Sequence, residues 1–171
     1  MIKKIFIALM CCALPVLAIA QDSNLKIGHV NSADIMQVMP ERTTIEKTLS
    51  DLQGQWESEL LKMREEYATK IKDYQEKEAT MPAALKEARQ SEIADMEQRM
   101  NTLVQTASSE LQKKQQELLA PVVDKIKKAI EEVGTANGYT YIIDESTQVL
   151  VYISPKANDV TPLVKTKLGI K

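Results

Sequence analysis

Apolar residues recur at Ile45, Leu49, Leu52, Trp56, Leu60, Met63, Tyr67, Ile71 and Tyr74, at spacings that alternate between four and three. That alternation is a helical stripe. It also repeats every eleven residues, as in Ile45, Trp56 and Tyr67. Eleven residues make 3.67 per turn, so the helix should run nearly straight or coil weakly to the right. A looser copy follows downstream in Met96, Ala107, Leu118 and Met100, Leu111, Val122. Between the two stripes lies Met81-Pro82. Proline disfavours helix at the residue before it and suits the start of a new helix, so residues 80–83 should form the tip of an antiparallel hairpin. A single helix kinked at Pro82 is the alternative. Facing volumes favour the hairpin: Trp56, the largest side chain, falls opposite the small Ala107 and Ser108. Leu52 falls opposite Leu111, and Ile45 opposite Leu118 or Leu119. An arm over residues 41–120 would reach roughly 58 Å from its root, too long for a compact domain.

The flanks read differently. Residues 25–30 alternate as a strand, Asn31 and Ser32 offer an N-cap, and a short helix should run to Met39 before Pro40 interrupts it. The second arm helix should continue to Ala136, kinked or missing a bond at Pro121, and stop at Asn137-Gly138. Residues 139–143 and 149–153 are strands by composition and read as a hairpin around a five-residue turn. Asp159 or Thr161 can cap a last helix carrying Pro162 in its first turn, closed by Gly169. The fold class is therefore mostly α with a small β part, a helical arm projecting from a β-strand body. That body, residues 21–40 and 121–171, holds about 70 residues, marginal for a core of its own. Open strand edges are a liability, and pairing with other copies would remove them. The residues expected to serve that oligomerisation are Ile27, Val30, Tyr139, Tyr141, Ile143, Val149, Val151 and Ile153.

Met1-Ile2-Lys3-Lys4, an apolar run to Leu17 and then Ala18-Ile19-Ala20 read as a secretory signal peptide over residues 1–20. Both cysteines, Cys11 and Cys12, fall inside it. The mature chain would be exported yet free of disulfides, so long helices or oligomerisation must supply its stability. Without Lys3 and Lys4 the chain has 20 basic and 24 acidic residues, mixed along both arms. No basic block points to nucleic acid, and no mature segment could span a membrane, which leaves only surface contact with one open. Enzymatic readings find no support. His29 is the one histidine and sits in a predicted strand, where packing is the plain reading. There is no glycine-rich phosphate loop, no mature cysteine nucleophile, and no carboxylate pair that stands out from charge decoration. No catalytic residue, cofactor or metal is expected.

Four motifs now carry a resemblance: Lys26-Ile27-Gly28-His29-Val30-Asn31-Ser32, Met39-Pro40-Glu41, Asn137-Gly138-Tyr139-Thr140-Tyr141-Ile142, and Asp159-Val160-Thr161-Pro162-Leu163-Val164. With a signal peptide before them and a long helical hairpin between them, the chain resembles the Skp/OmpH family of periplasmic chaperones over essentially its whole mature length. The resemblance implies a homotrimer whose strands form one body and whose three arms enclose a cavity. It implies an ATP-independent holdase in the periplasm, with unfolded outer-membrane β-barrel proteins as partners. The best-known member has a strongly basic surface, whereas this arm has 12 basic and 16 acidic residues. Steering by positive potential is therefore not carried over, nor is a lipopolysaccharide site.

A holdase must accept many unfolded sequences weakly, and methionine suits promiscuous contact. Candidate client contacts are Met63, Tyr67, Tyr74, Met81, Met96 and Met100; the plainer reading is that they pack the seam between the helices, except Met81, which sits at the exposed tip where contact and packing are equally open. A different class of function fits composition equally well: a periplasmic coiled-coil spacer or envelope scaffold, indifferent to whether its partners are folded.

Overall fold

The structure is a computed structural model and describes residues 25–170. The segment expected to be a signal peptide, its expected cleavage site and both cysteines lie outside the described residues. Strand β1 (Ile27–Val30) leads into α1 (Ser32–Val38), then α2 (Glu41–Lys77), a short 3₁₀ turn (Glu78–Thr80) and α3 (Ala83–Ala136). Strand β2 (Tyr141–Asp144), a second 3₁₀ turn (Glu145–Thr147), the short β3 (Asn158–Asp159) and α4 (Thr161–Leu168) complete the chain.

Helices α2 and α3 form the expected hairpin. At 1.5 Å per residue, the 37 residues of α2 extend about 55 Å. The 3₁₀ turn ends at an extended Met81, and Pro82, with ψ 146°, directs the chain into α3. Cross-arm pairs keep the anticipated register: Lys86 Nζ to Glu78 Oε1 at 3.5 Å, Gln90 Nε2 to the Tyr74 hydroxyl at 2.6 Å, and Lys70 Nζ to Glu92 Oε2 at 3.7 Å. At the root, Lys125 Nζ donates to Glu41 Oε1 at 2.6 Å. Helix α3 runs unbroken through Pro121. The missing N–H at that position deletes one helical hydrogen bond without ending the helix, because the flanking turns are packed into the base of the arm.

The core sits at that base. Val30, Ile35, Met39, Ile45, Val122, Ile126, Ala129, Val133, Val160 and Val164 are buried together. Each contributing element has a local reason. The Asn31 side chain accepts from Asp34 N–H at 2.9 Å and caps α1. Gly138, at φ +67°, turns the chain out of α3. The Asp159 carboxylate accepts from Thr161 N–H at 2.8 Å at the start of α4, and Gly169, at φ +73°, ends it.

The sheet departs from expectation. Its order is β2-β1-β3 and every pairing is parallel, with Ile27 opposite Tyr141, Val30 opposite Asp144 and His29 opposite Asp159. The hairpin expected from residues 139–143 and 149–153 does not form, and residues 149–153 are not a strand. The third strand is instead Asn158–Asp159, of which Asp159 alone is anticipated from the sequence, and only as a cap. The reason lies at Asp144. Its carboxylate accepts from the Ser32 hydroxyl, from Ser32 N–H at 3.2 Å and from Ser146 N–H at 3.0 Å. Those bonds wind the chain into the 3₁₀ turn, and Gln148, at φ 55°, steers it away from the edge of β2. Strand β1 already has a neighbour on each side, so residues 149–153 find no edge of β1 left within their own chain.

Candidate functional site

Two surfaces stand out, one on the body and one on the arm. On the body, the segment that failed to pair is laid open: Val149 is 72% exposed, Val151 103% and Tyr152 77%. On the free edge of the sheet Tyr141 is 60% exposed. Ile27 is also exposed, while Tyr139, Ile143 and Ile153 are half-buried. Tyr139 lies under the Lys26 ammonium, 4.2 Å from its ring centroid. Val30, at 1% exposure, is committed to its own chain's core and is not on this surface. Side chains that are β-branched or aromatic, consecutive and unpaired are what an incoming strand or a second copy would cover.

On the arm, the seam takes most of the apolar residues. Met96 is 5% exposed and packs between the helices, which removes it from the outer surface of the free arm. Met63, Tyr67, Tyr74, Met81 and Met100 are half-buried. The Tyr74 hydroxyl donates to Glu78 Oε1 at 3.1 Å as well as accepting from Gln90, and so braces the tip. The well-exposed large apolar residues of the arm are others: Leu61 at 57%, Val104 at 49% and Leu85 at 45%. Val104 borders a groove of about 380 Å³ walled by Trp56, Leu60, Leu103, Ala107 and Leu111. Of the two residues the spacing could place opposite Leu60, Leu103 takes the seam and Val104, one position on, faces outward. The readable signal was the pairing of a large Trp56 with a small Ala107, which leaves space beside the ring.

His29 is held as a packing residue. Its Nδ1 lies 3.0 Å from Glu145 Oε2, and its side chain is 14% exposed. Among the described residues no cluster of three His, Cys, Asp or Glu could hold a metal ion, and no helix is long and apolar enough to cross a membrane.

This architecture, a long hairpin rooted in a small parallel sheet, can be compared with known proteins. Residues 26–168 match the model of the family described as outer membrane protein (OmpH-like). The chain belongs to the OmpH-like family. It is 26% identical to the chaperone protein Skp of Yersinia enterocolitica over 155 residues, 89% of this chain and 93% of that one. It is 26% identical to the Skp chaperone of Pectobacterium atrosepticum over 136 residues, 80% of this chain and 81% of that one. The fold matches the crystal structure of an OmpH-like protein from Caulobacter crescentus CB15, with a TM-score of 0.70 at 18% identity, covering 83% of this chain and 82% of that one. The OmpH-like assignment spans both strand-bearing flanks and the arm, so it rests on more than the coiled-coil pattern. The Skp/OmpH family is a family of chaperones rather than of enzymes.

Proposed function

We propose that this OmpH-like chain is an ATP-independent holdase of the periplasm. It is exported by its cleaved N-terminal segment and binds unfolded outer-membrane β-barrel proteins between helical arms. Three copies join through the body, with residues 149–153 and the free edge of β2 covered in the assembly. The observation that carries the reading is the combination of a long two-helix arm with a body that leaves Tyr141, Val149, Val151 and Tyr152 uncovered by their own chain. A single arm cannot enclose anything; several arms on a shared base can. Burying Val149, Val151, Tyr152 and Tyr141 would also enlarge a core that is small for one chain.

A second reading has one observation in its favour. The seam absorbs Met96 and half-buries the other candidate contacts, leaving few exposed apolar residues on the arm. That would suit a coiled-coil spacer binding folded partners. Client state separates the two. Diluting a urea-unfolded outer-membrane β-barrel protein into the mature protein should suppress light scattering at a stoichiometric ratio, with no nucleotide added. Unchanged scattering would favour the spacer.

A further inference from the structure

Trp56 is the chain's one tryptophan, and its indole Nε1 is buried without a hydrogen-bond acceptor. A buried donor without a partner has given up its hydrogen bond to water and gained none in return, so its place in the fold calls for an explanation. None of the polar groups lining the groove accepts from it: Gln53 Nε2 donates to Glu57 Oε1 at 2.7 Å, and neither side chain reaches the indole N–H. The groove beside the ring holds about 380 Å³, is bordered by the half-exposed Val104, and has Glu57 as the one charge in its lining. That is unusual on an arm bearing 28 charged residues over positions 41–120.

We infer that this groove is a client-docking site, and that its occupant is an apolar side chain on an extended, unpaired stretch of polypeptide. The inference rests on the chaperone reading above and assigns its contact point. Two complementarities select the occupant. The wall is almost uncharged, so it fits a neutral apolar group. The unpaired indole N–H needs an acceptor, and an unfolded chain offers a free backbone carbonyl at every residue, whereas helices and sheets have already used theirs. In the free arm the seam closes over Nε1, so pairing requires the groove to widen. The local sequence makes widening cheap at this level. Gly54 lies one half-turn before Trp56, and a Cβ there would meet nothing within 4 Å, so it contributes flexibility rather than packing. On the facing helix, Ala107 and Ser108 are small. A client side chain entering beside Val104 would wedge the groove, and a client carbonyl would then accept from Trp56.

Because Trp56 is unique, its fluorescence reads the groove directly. The test uses full mature protein and a urea-unfolded β-barrel protein whose own tryptophans have been replaced by phenylalanine. The expected result is a shift in Trp56 emission and altered acrylamide quenching on client addition, with no change on adding the same barrel protein folded in detergent. Val104→Glu should weaken capture about tenfold, and Trp56→Phe, which keeps the ring and removes the donor, should weaken it severalfold. Circular-dichroism melts would confirm that both variants keep the arm. Client retained at wild-type affinity by Val104→Glu, with Trp56 emission unmoved, would overturn the groove and leave the holdase standing. An equal response to folded barrel protein would overturn the choice of occupant. No client retained by the unmodified protein would overturn both readings.

Discussion

Gly28 shows how tightly the body is built around single residues. It sits on the central strand, and a Cβ there would lie 2.9 Å from Tyr139 Cε1 and 3.1 Å from Val160 Cγ1. Val160 is fully buried, so it cannot move aside without disturbing α4. Gly28→Ala should destabilise the protein by about 1–3 kcal/mol, measured as a lowered midpoint in urea with an unchanged slope. Asp144 sets a second condition. Burial pushes its carboxyl up, but hydrogen bonds donated by Ser32 and Ser146 outweigh that and hold it below the ordinary aspartate range. Asp159 behaves alike: burial raises it, and the bonds from Thr161 bring it below its usual value. A carboxylate depressed on folding adds stability above its unfolded value, near ~3.9, and loses it as pH falls through the folded value. Wild-type unfolding free energy should therefore fall as pH drops below about 4. Asp144→Asn should be about 1–2 kcal/mol less stable at pH 7 and should lose less on acidification. Parallel pH curves for the two proteins would contradict this role.

At the scale of elements, the arm was legible in the sequence because a helix of ten turns repeats its pattern many times. Pro82, Asn137 and Gly138 then punctuated it in places where only a break could satisfy the backbone. The sheet was less legible. Residues 139–143 and 149–153 both have strand composition, and adjacency suggested that they pair. What decided otherwise was long-range: Asp144 reaches Ser32, more than a hundred positions earlier, and the resulting turn separates the two segments. Strand propensity carries no information about such a partner. The candidate contacts divide by the same logic. Apolar residues on the stripe, such as Met96, are the ones the seam consumes, whereas Val104 and Leu61, off the stripe, remain outside. Gly54 is the arm's clearest local weakness, exposed in mid-helix with no contact to preserve. Gly54→Ala should raise the stability of the arm by about 0.5–1 kcal/mol, visible as a higher thermal midpoint followed at 222 nm. A fall instead would mean that Gly54 permits a packing contact that the isolated chain does not make.

At the scale of the whole molecule, stability and function meet in the same exposed surface. One chain leaves Val149, Val151, Tyr152 and Tyr141 in water, and the arm it carries cannot surround a client alone. Assembly would cover the first and multiply the second. If the chain is the proposed holdase, the arm's charge, 12 basic against 16 acidic residues, would make capture depend on apolar contact rather than on positive potential. The most direct measurement is a native mass spectrum of the mature protein, alone and after dilution of a urea-unfolded outer-membrane β-barrel protein into it. A homotrimeric holdase should appear as a trimer that gains one unfolded client. A monomer, or a trimer that ignores the client, would contradict it.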